Sequence, residues 1–151
     1  MSSPKYVVGD LFTAPEGAIL VHACNTLGSW GSGIALTFRE QYPEAFVAYQ
    51  AHCNQHKLSE SLVGSCLIIR GDYHDVACLF TSRAYGRRKD RKEQILDATR
   101  SALLDLNAQN VEPRKELHAC RFNSGKFGVP WEETENILLD LHIPITANTP
   151  E

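Results

Sequence analysis

Ala18-Ile19-Leu20-Val21-His22-Ala23-Cys24-Asn25-Thr26-Leu27-Gly28-Ser29-Trp30-Gly31-Ser32-Gly33-Ile34 is the stretch from which the fold can be read. Its first part, residues 18–22, is an apolar run long enough for a strand buried on both faces, as parallel sheets require. The glycine-rich segment 28–33 then opens into residues 34–41, which read as a helix. In open α/β sheets ligands sit at the carboxyl ends of strands. A helix N-terminus there offers unpaired N–H groups and a positive dipole end, and glycine lets a phosphate approach the backbone. The spacing is not GxGxxG and no Lys-Ser/Thr follows, so neither the Rossmann nor the P-loop fingerprint fits. A tight strand-to-helix turn without a ligand reads equally well from this stretch alone.

Working outward, Tyr6–Val8 is a short strand closed by Gly9-Asp10. Pro43 disfavours helical geometry at Tyr42 and separates the first helix from a second over Ala45–His56. Ser65–Ile69 and Val76–Thr81 are strands joined across a Gly71-Asp72 turn. Glu93–Leu106 carries Ile95, Ala98, Ala102, Leu103 and Leu106 on one helical stripe. Leu117–Phe122 is a weaker strand, Pro130–Leu141 a helix with Pro130 in its first turn, and Ile143–Ala147 a closing strand. Strands alternating with helices predict a three-layer α/β sandwich around a largely parallel sheet. The length of 151 residues predicts one domain over 1–151.

A net charge of -3 makes duplex nucleic acid a poor partner. No run approaches the roughly 18 apolar residues of a membrane span, and Met1–Lys5 holds no apolar leader segment. The five cysteines, Cys24, Cys53, Cys66, Cys78 and Cys120, form no CxxC pair and no zinc-type spacing. The expectation is a reduced, cytoplasmic protein, with the nucleus as a second compartment, holding neither metal nor cofactor.

A second glycine-rich stretch, Asn123-Ser124-Gly125-Lys126-Phe127-Gly128-Val129-Pro130-Trp131, again runs from a strand to a helix. Val129 is a poor N-cap, so the first helical N–H groups lack an obvious side-chain partner and a bound anion could supply one. Glu132 and Glu133 oppose that, since they already favour the helix end. Two such loops in one domain shift the balance from structural turns toward a diphosphate cradle.

The residues Val8-Gly9-Asp10, the stretch His22–Ala35 and the stretch Asn123–Trp131 together resemble the macrodomain family. Within it they are most similar to the fungal ADP-ribose 1''-phosphate phosphatases, and the element order matches over nearly the whole chain. The resemblance implies an α/β/α sandwich with a mixed, largely parallel sheet. It also implies a substrate-binding set of Asp10, Leu11, Asn25, Gly31, Gly33, Ile34, Ala35, Ser124, Gly125, Lys126, Phe127, Gly128 and Val129. In that set Asp10 accepts from the adenine amino group, Asn25 holds the distal ribose and Phe127 covers it. The backbone of both loops holds the diphosphate. Read as bare residues, Asp10 is equally a turn former, Asn25 a tie within its own loop and Phe127 a core plug. Many macrodomains stack an aromatic on adenine after the last strand, where Ala147-Asn148-Thr149 offers none.

Macrodomains that strip ADP-ribose from acidic side chains often carry an aspartate where Ile34-Ala35 stand here, and another branch uses a lysine where Ser82-Arg83 stand. With neither hydrolase pair intact, His22 is the catalytic candidate, as a histidine occupies this place in the resembling phosphatases. Its imidazole suits proton transfer near neutrality. Whether it attacks phosphorus or shuttles a proton stays open, as does a purely structural core histidine. The basic run Arg83, Arg87, Arg88, Lys89, Arg91, Lys92 reads as a solvated loop. Its cations nonetheless oppose the dipole of the helix that follows, a conflict a terminal phosphate would relieve. Chain order does not place it over the cradle, and Lys126 is a second candidate for that role. The leading expectation is a metal-free ADP-ribose 1''-phosphate phosphatase. The alternatives are a hydrolase of mono-ADP-ribosylated protein or O-acyl-ADP-ribose, and a non-catalytic ADP-ribose reader.

Overall fold

The computed structural model describes residues 4–150. Six strands form one sheet in the order β1-β6-β5-β2-β4-β3, with β1 Lys5–Val8, β2 Ile19–Asn25, β3 Cys66–Ile69, β4 Asp75–Ser82, β5 Leu117–Ala119 and β6 Thr146–Thr149. All neighbours pair parallel except β3 and β4. The connection over 70–74 is too short for the crossover that parallel strands need, so β4 must return antiparallel. The sheet is thus mixed and largely parallel, as expected.

Alternation along the central strands feeds two cores. Ile19 and Val21 of β2 and Ala77 and Leu79 of β4 face α3 (Lys92–Gln109) and α4 (Trp131–Leu141) through Leu103, Leu106 and Leu138. Leu20, Cys24, Cys78 and Phe80 face α1 (Gly33–Gln41) and α2 (Pro43–Gln55) through Phe38, Phe46 and Tyr49. Every residue of β4 is buried, as a strand covered by helices on both faces must be. Pro43 opens α2 at its first position, and Tyr42 at φ -131° breaks α1 from it.

Three strands differ from the sequence reading, the first of them β2, which runs on to Asn25 rather than ending at His22. The closing strand is Thr146–Thr149 rather than 143–147, because its register is set by pairing Lys5 with Thr146 and Ala119 with Ala147. Ile143 and Ile145 are core anchors before it, and Pro144 has no N–H to give a ladder. The strand expected over 117–122 stops at Ala119. From Cys120 the chain turns on itself, with the Phe122 N–H donating to the Cys120 carbonyl at 2.9 Å.

Five parallel strands end at one edge of the sheet. Along that edge lie, in order, Asp10 after β1, Asn148–Pro150 at the end of β6, the second loop after β5, the first loop after β2, and residues 83–91 after β4. Sheet order, not chain order, makes the two glycine-rich loops neighbours.

Candidate active site

A cavity of about 910 Å³ opens between the two loops, lined among others by Cys24, Asn25, Gly31–Ala35, Tyr85, Ser124–Phe127, Asn148 and Pro150. A smaller hollow of about 370 Å³ continues it past Gly9, Asp10 and Leu11, sharing Ile34, Cys120, Asn148 and Pro150. From Asp10 to residues 83–91 the edge spans four strand spacings, roughly 19 Å.

The first loop is pinned by Asn25. Its Oδ1 accepts from the N–H groups of Leu27 (3.0 Å) and Ser29 (3.3 Å) and from the Tyr49 hydroxyl (3.1 Å), while Nδ2 donates to the Ser29 carbonyl (2.8 Å). One Nδ2 hydrogen is left for a ligand. Ser32 is the N-cap of α1, yet its side chain caps nothing. The first-turn N–H groups of Gly33, Ile34 and Ala35 therefore have no acceptor among the described residues, and all three residues line the cavity. Gly33 sits at φ +61°, which glycine alone adopts at little cost.

The second loop is pinned by Asn123, buried at φ 70°. Its Oδ1 accepts from Thr81 (2.9 Å), and its Nδ2 donates to Thr99 (2.9 Å) and Thr134 (3.3 Å), which belong to β4, α3 and α4. The N–H groups of Gly125, Lys126 and Phe127 have no protein acceptor among the described residues and sit at the cavity. Two expected site residues fall outside it. Gly128 gives its N–H to Gly125 (3.1 Å), and Val129, 1% exposed, gives its own to Asn123 (2.8 Å). The start of α4 likewise does not line the cavity, so the loop itself, not the helix end, presents donors.

Asp10 borders the smaller hollow and also accepts from the Phe12 N–H at 2.9 Å through Oδ1, capping a short 3-10 turn. The turn role is thus present, with Oδ2 remaining. Leu11 supplies apolar surface beside it. Asn148 lines both hollows, and its side-chain Oδ1 is buried with no partner among the described residues. Sequence reasoning noticed only that this region carries no ring. It also missed Cys120 and Pro150, which join the site through strand order and carry no local motif.

His22 is fully buried, stacked on Phe38 at 4.0 Å and edge-on to Trp30 at 4.8 Å, and does not line the cavity. It reaches the wall through Cys24, whose Sγ lies 3.6 Å from Nε2 and 3.8 Å from Nδ1. Burial pushes the Cys24 thiol up, but the neighbouring Cys78 thiol and the His22 ring outweigh it, leaving Cys24 below the ordinary thiol range. Cys78 is raised, first by burial and then by Cys24, and keeps its proton. His22, Cys24 and Cys78 place ligand atoms within 4.8 Å of one another, two thiols and an imidazole in an apolar surround. No carboxylate lines the larger cavity among the described residues.

A model of the Macro domain family matches residues 21–138. The chain is 42% identical to an ADP-ribose 1''-phosphate phosphatase of Chaetomium globosum over 147 residues, 86% of this chain and 79% of that protein. It is also 42% identical to one of Candida albicans, over 89% of this chain and 90% of that one. Among solved structures, the macrodomain of Mycobacterium tuberculosis DarG superposes with a TM-score of 0.77 at 26% identity, covering 100% of both chains. Thermosipho africanus DarTG in complex with ADP-ribose, at 19% identity and a TM-score of 0.75, shares the fold over 97% of this chain and 42% of that one.

Proposed function

This chain belongs to the Macro domain family, and on that premise we propose that it is an ADP-ribose 1''-phosphate phosphatase, releasing inorganic phosphate and ADP-ribose. The observation that carries the reading is a cavity edged by two rows of unpartnered N–H groups, Gly33–Ala35 and Gly125–Phe127. Rows of backbone donors hold a diphosphate without side-chain charge. Relatives named for this activity, 37–42% identical over most of the chain, support it. Asp10 supplies an acceptor for the adenine amino group at one end, with Leu11 and Pro150 as its apolar bed. Mono-ADP-ribosylated proteins are a second ligand class for the same loops, and the five free thiols suit a reducing cytoplasm.

In the reaction a water oxygen bonds to phosphorus as the bond from phosphorus to the ribose 1'' oxygen breaks, and that oxygen takes up a proton. His22 serves as a positioning residue here, acting through Cys24, a cavity-lining residue whose buried thiol can pass a proton to and from the imidazole beside it. The test is phosphate release from ADP-ribose 1''-phosphate with chelator present, comparing wild type with His22→Phe. That variant keeps the stack on Phe38 and removes both nitrogens. The expected result is chelator-resistant turnover, lost in His22→Phe while ADP-ribose still binds. No release from wild type would sink the phosphatase reading, and unchanged turnover in the variant would sink the role of His22.

A further inference from the structure

Residues 83–91 follow β4, which pairs with β2 on the side away from β5. They therefore stand at the end of the cavity opposite Asp10, where a group on the distal ribose would project. The segment is built rather than loosely solvated. Asp90 takes its backbone N–H to Ser82 Oγ (2.9 Å), and its Oδ2 accepts from the Arg83 backbone (3.1 Å) and guanidinium (2.9 Å). The Arg83 carbonyl in turn accepts from the Thr26 hydroxyl of the first loop (2.9 Å). With its one acid spent on Arg83, the segment presents Arg87, Arg88 and Lys89, all exposed and none in an ion pair among the described residues. Tyr85 lines the cavity itself.

Two lysines approach the loops. Lys89 Cε is 4.0 Å from where a Cβ on Gly128 would stand, so its stem reaches the second loop beside the cavity rather than in its lining. Lys126 Cγ is 3.9 Å from the corresponding point on Gly33 of the first loop. In a chain of net charge -3 this concentration of free cations at one end, facing the Asp10 end, makes the cavity electrically polar. Cations just ahead of the α3 N-terminus also stand against the helix dipole, a cost that a bound dianion offsets.

We propose that Tyr85, Arg87, Arg88 and Lys89 form the receptor for the terminal phosphate, with Lys89 discriminating the phosphorylated substrate from ADP-ribose. This rests on the phosphatase reading and names the group that receives the phosphate to be removed. A phosphomonoester near neutral pH carries between one and two negative charges on three acceptor oxygens. An ammonium brought over the second loop meets it with a charge-assisted hydrogen bond, which ADP-ribose, ending in a hydroxyl, cannot repay equally.

The test measures direct binding of ADP-ribose 1''-phosphate and of ADP-ribose, alongside turnover, in wild type, Lys89→Gln and Arg114→Gln. Arg114 is exposed before β5, at the opposite edge of the sheet, and controls for net charge. Wild type is expected to prefer the phosphorylated ligand, and Lys89→Gln to lose about tenfold of its affinity for it. Affinity for ADP-ribose should change less than about twofold, and the salt dependence of the phosphorylated ligand should flatten. Arg114→Gln should change neither. No preference in wild type, or a preference that survives Lys89→Gln, overturns the proposal. A preference lost in Lys89→Gln from a wild type that releases no phosphate would uphold this site while the phosphatase reading falls.

Discussion

The two glycine-rich loops do the same job with different supports. The Asn25 side chain ties the first loop chiefly to itself, through Leu27 and Ser29, with Tyr49 its one remote partner among the described residues, while Gln50 and Arg83 hold Gly28 and Thr26 from outside the loop. Asn123 ties the second loop to threonines on β4, α3 and α4. The first loop also borrows its donors from a helix end left uncapped, whereas the second makes its own from consecutive free N–H groups. A locally closed turn can be read from a short stretch of sequence. A loop suspended from three elements cannot.

That contrast predicts unequal damage. Asn123→Ala removes three buried hydrogen bonds and places alanine at φ 70°, and should cost about 3 kcal/mol of stability by chemical denaturation. Asn123→Gly, which keeps the conformation free, should recover part of that loss. Asn25→Ala should cost less, about 2 kcal/mol, because the Tyr49 hydroxyl retains the Asn25 carbonyl at 2.7 Å. Equal losses would erase the distinction between local and suspended support. Glycine substitutions sharpen it further. Gly33→Ala, at φ +61°, should cost about 1 kcal/mol and weaken ADP-ribose binding severalfold, since the first loop depends on that bend. Gly125→Ala meets nothing within 4 Å and should stay within about 0.5 kcal/mol of wild type. The smallest effect belongs to Ser32→Ala, within about 0.5 kcal/mol in thermal unfolding, because that hydroxyl caps no N–H. A loss near 1 kcal/mol would mean the α1 N-terminus is capped by the protein and less free for an anion.

The fold was readable because each apolar run answered to one physical demand. Residues 18–21 and 76–80 are apolar throughout since both faces of their strands are covered, Pro43 marked the break between two helices, and Pro130 marked a helix start. Ile143–Ala147 misled because buried isoleucines before a strand look like the strand itself. In the site, composition gave two glycine-rich loops and the resemblance gave Gly31, Gly33, Ile34, Ala35 and Ser124–Phe127 within them, which the structure brings to one cavity. Gly128 and Val129 came with the same resemblance, but their N–H groups are spent within the loop. For His22 the strand period of two decides the matter. It points with Cys24 and Cys78 into the core beneath α1, so its burial depends on Phe38 and Trp30, which arrive later in the chain.

By itself the sequence determined the alternation of strands and helices, the two glycine-rich turns and the resemblance they carry, because periodicity and turn chemistry are local. Only the tertiary structure decided which strand ends are neighbours. The order β1-β6-β5-β2-β4 sets Asp10 at one end of the cavity and Tyr85 to Lys89 at the other, and brings Asn148 and Pro150 between them. Hydrogen-bonded pairing across the sheet fixes that order, and pairing between strands distant in the chain leaves no mark within any one of them.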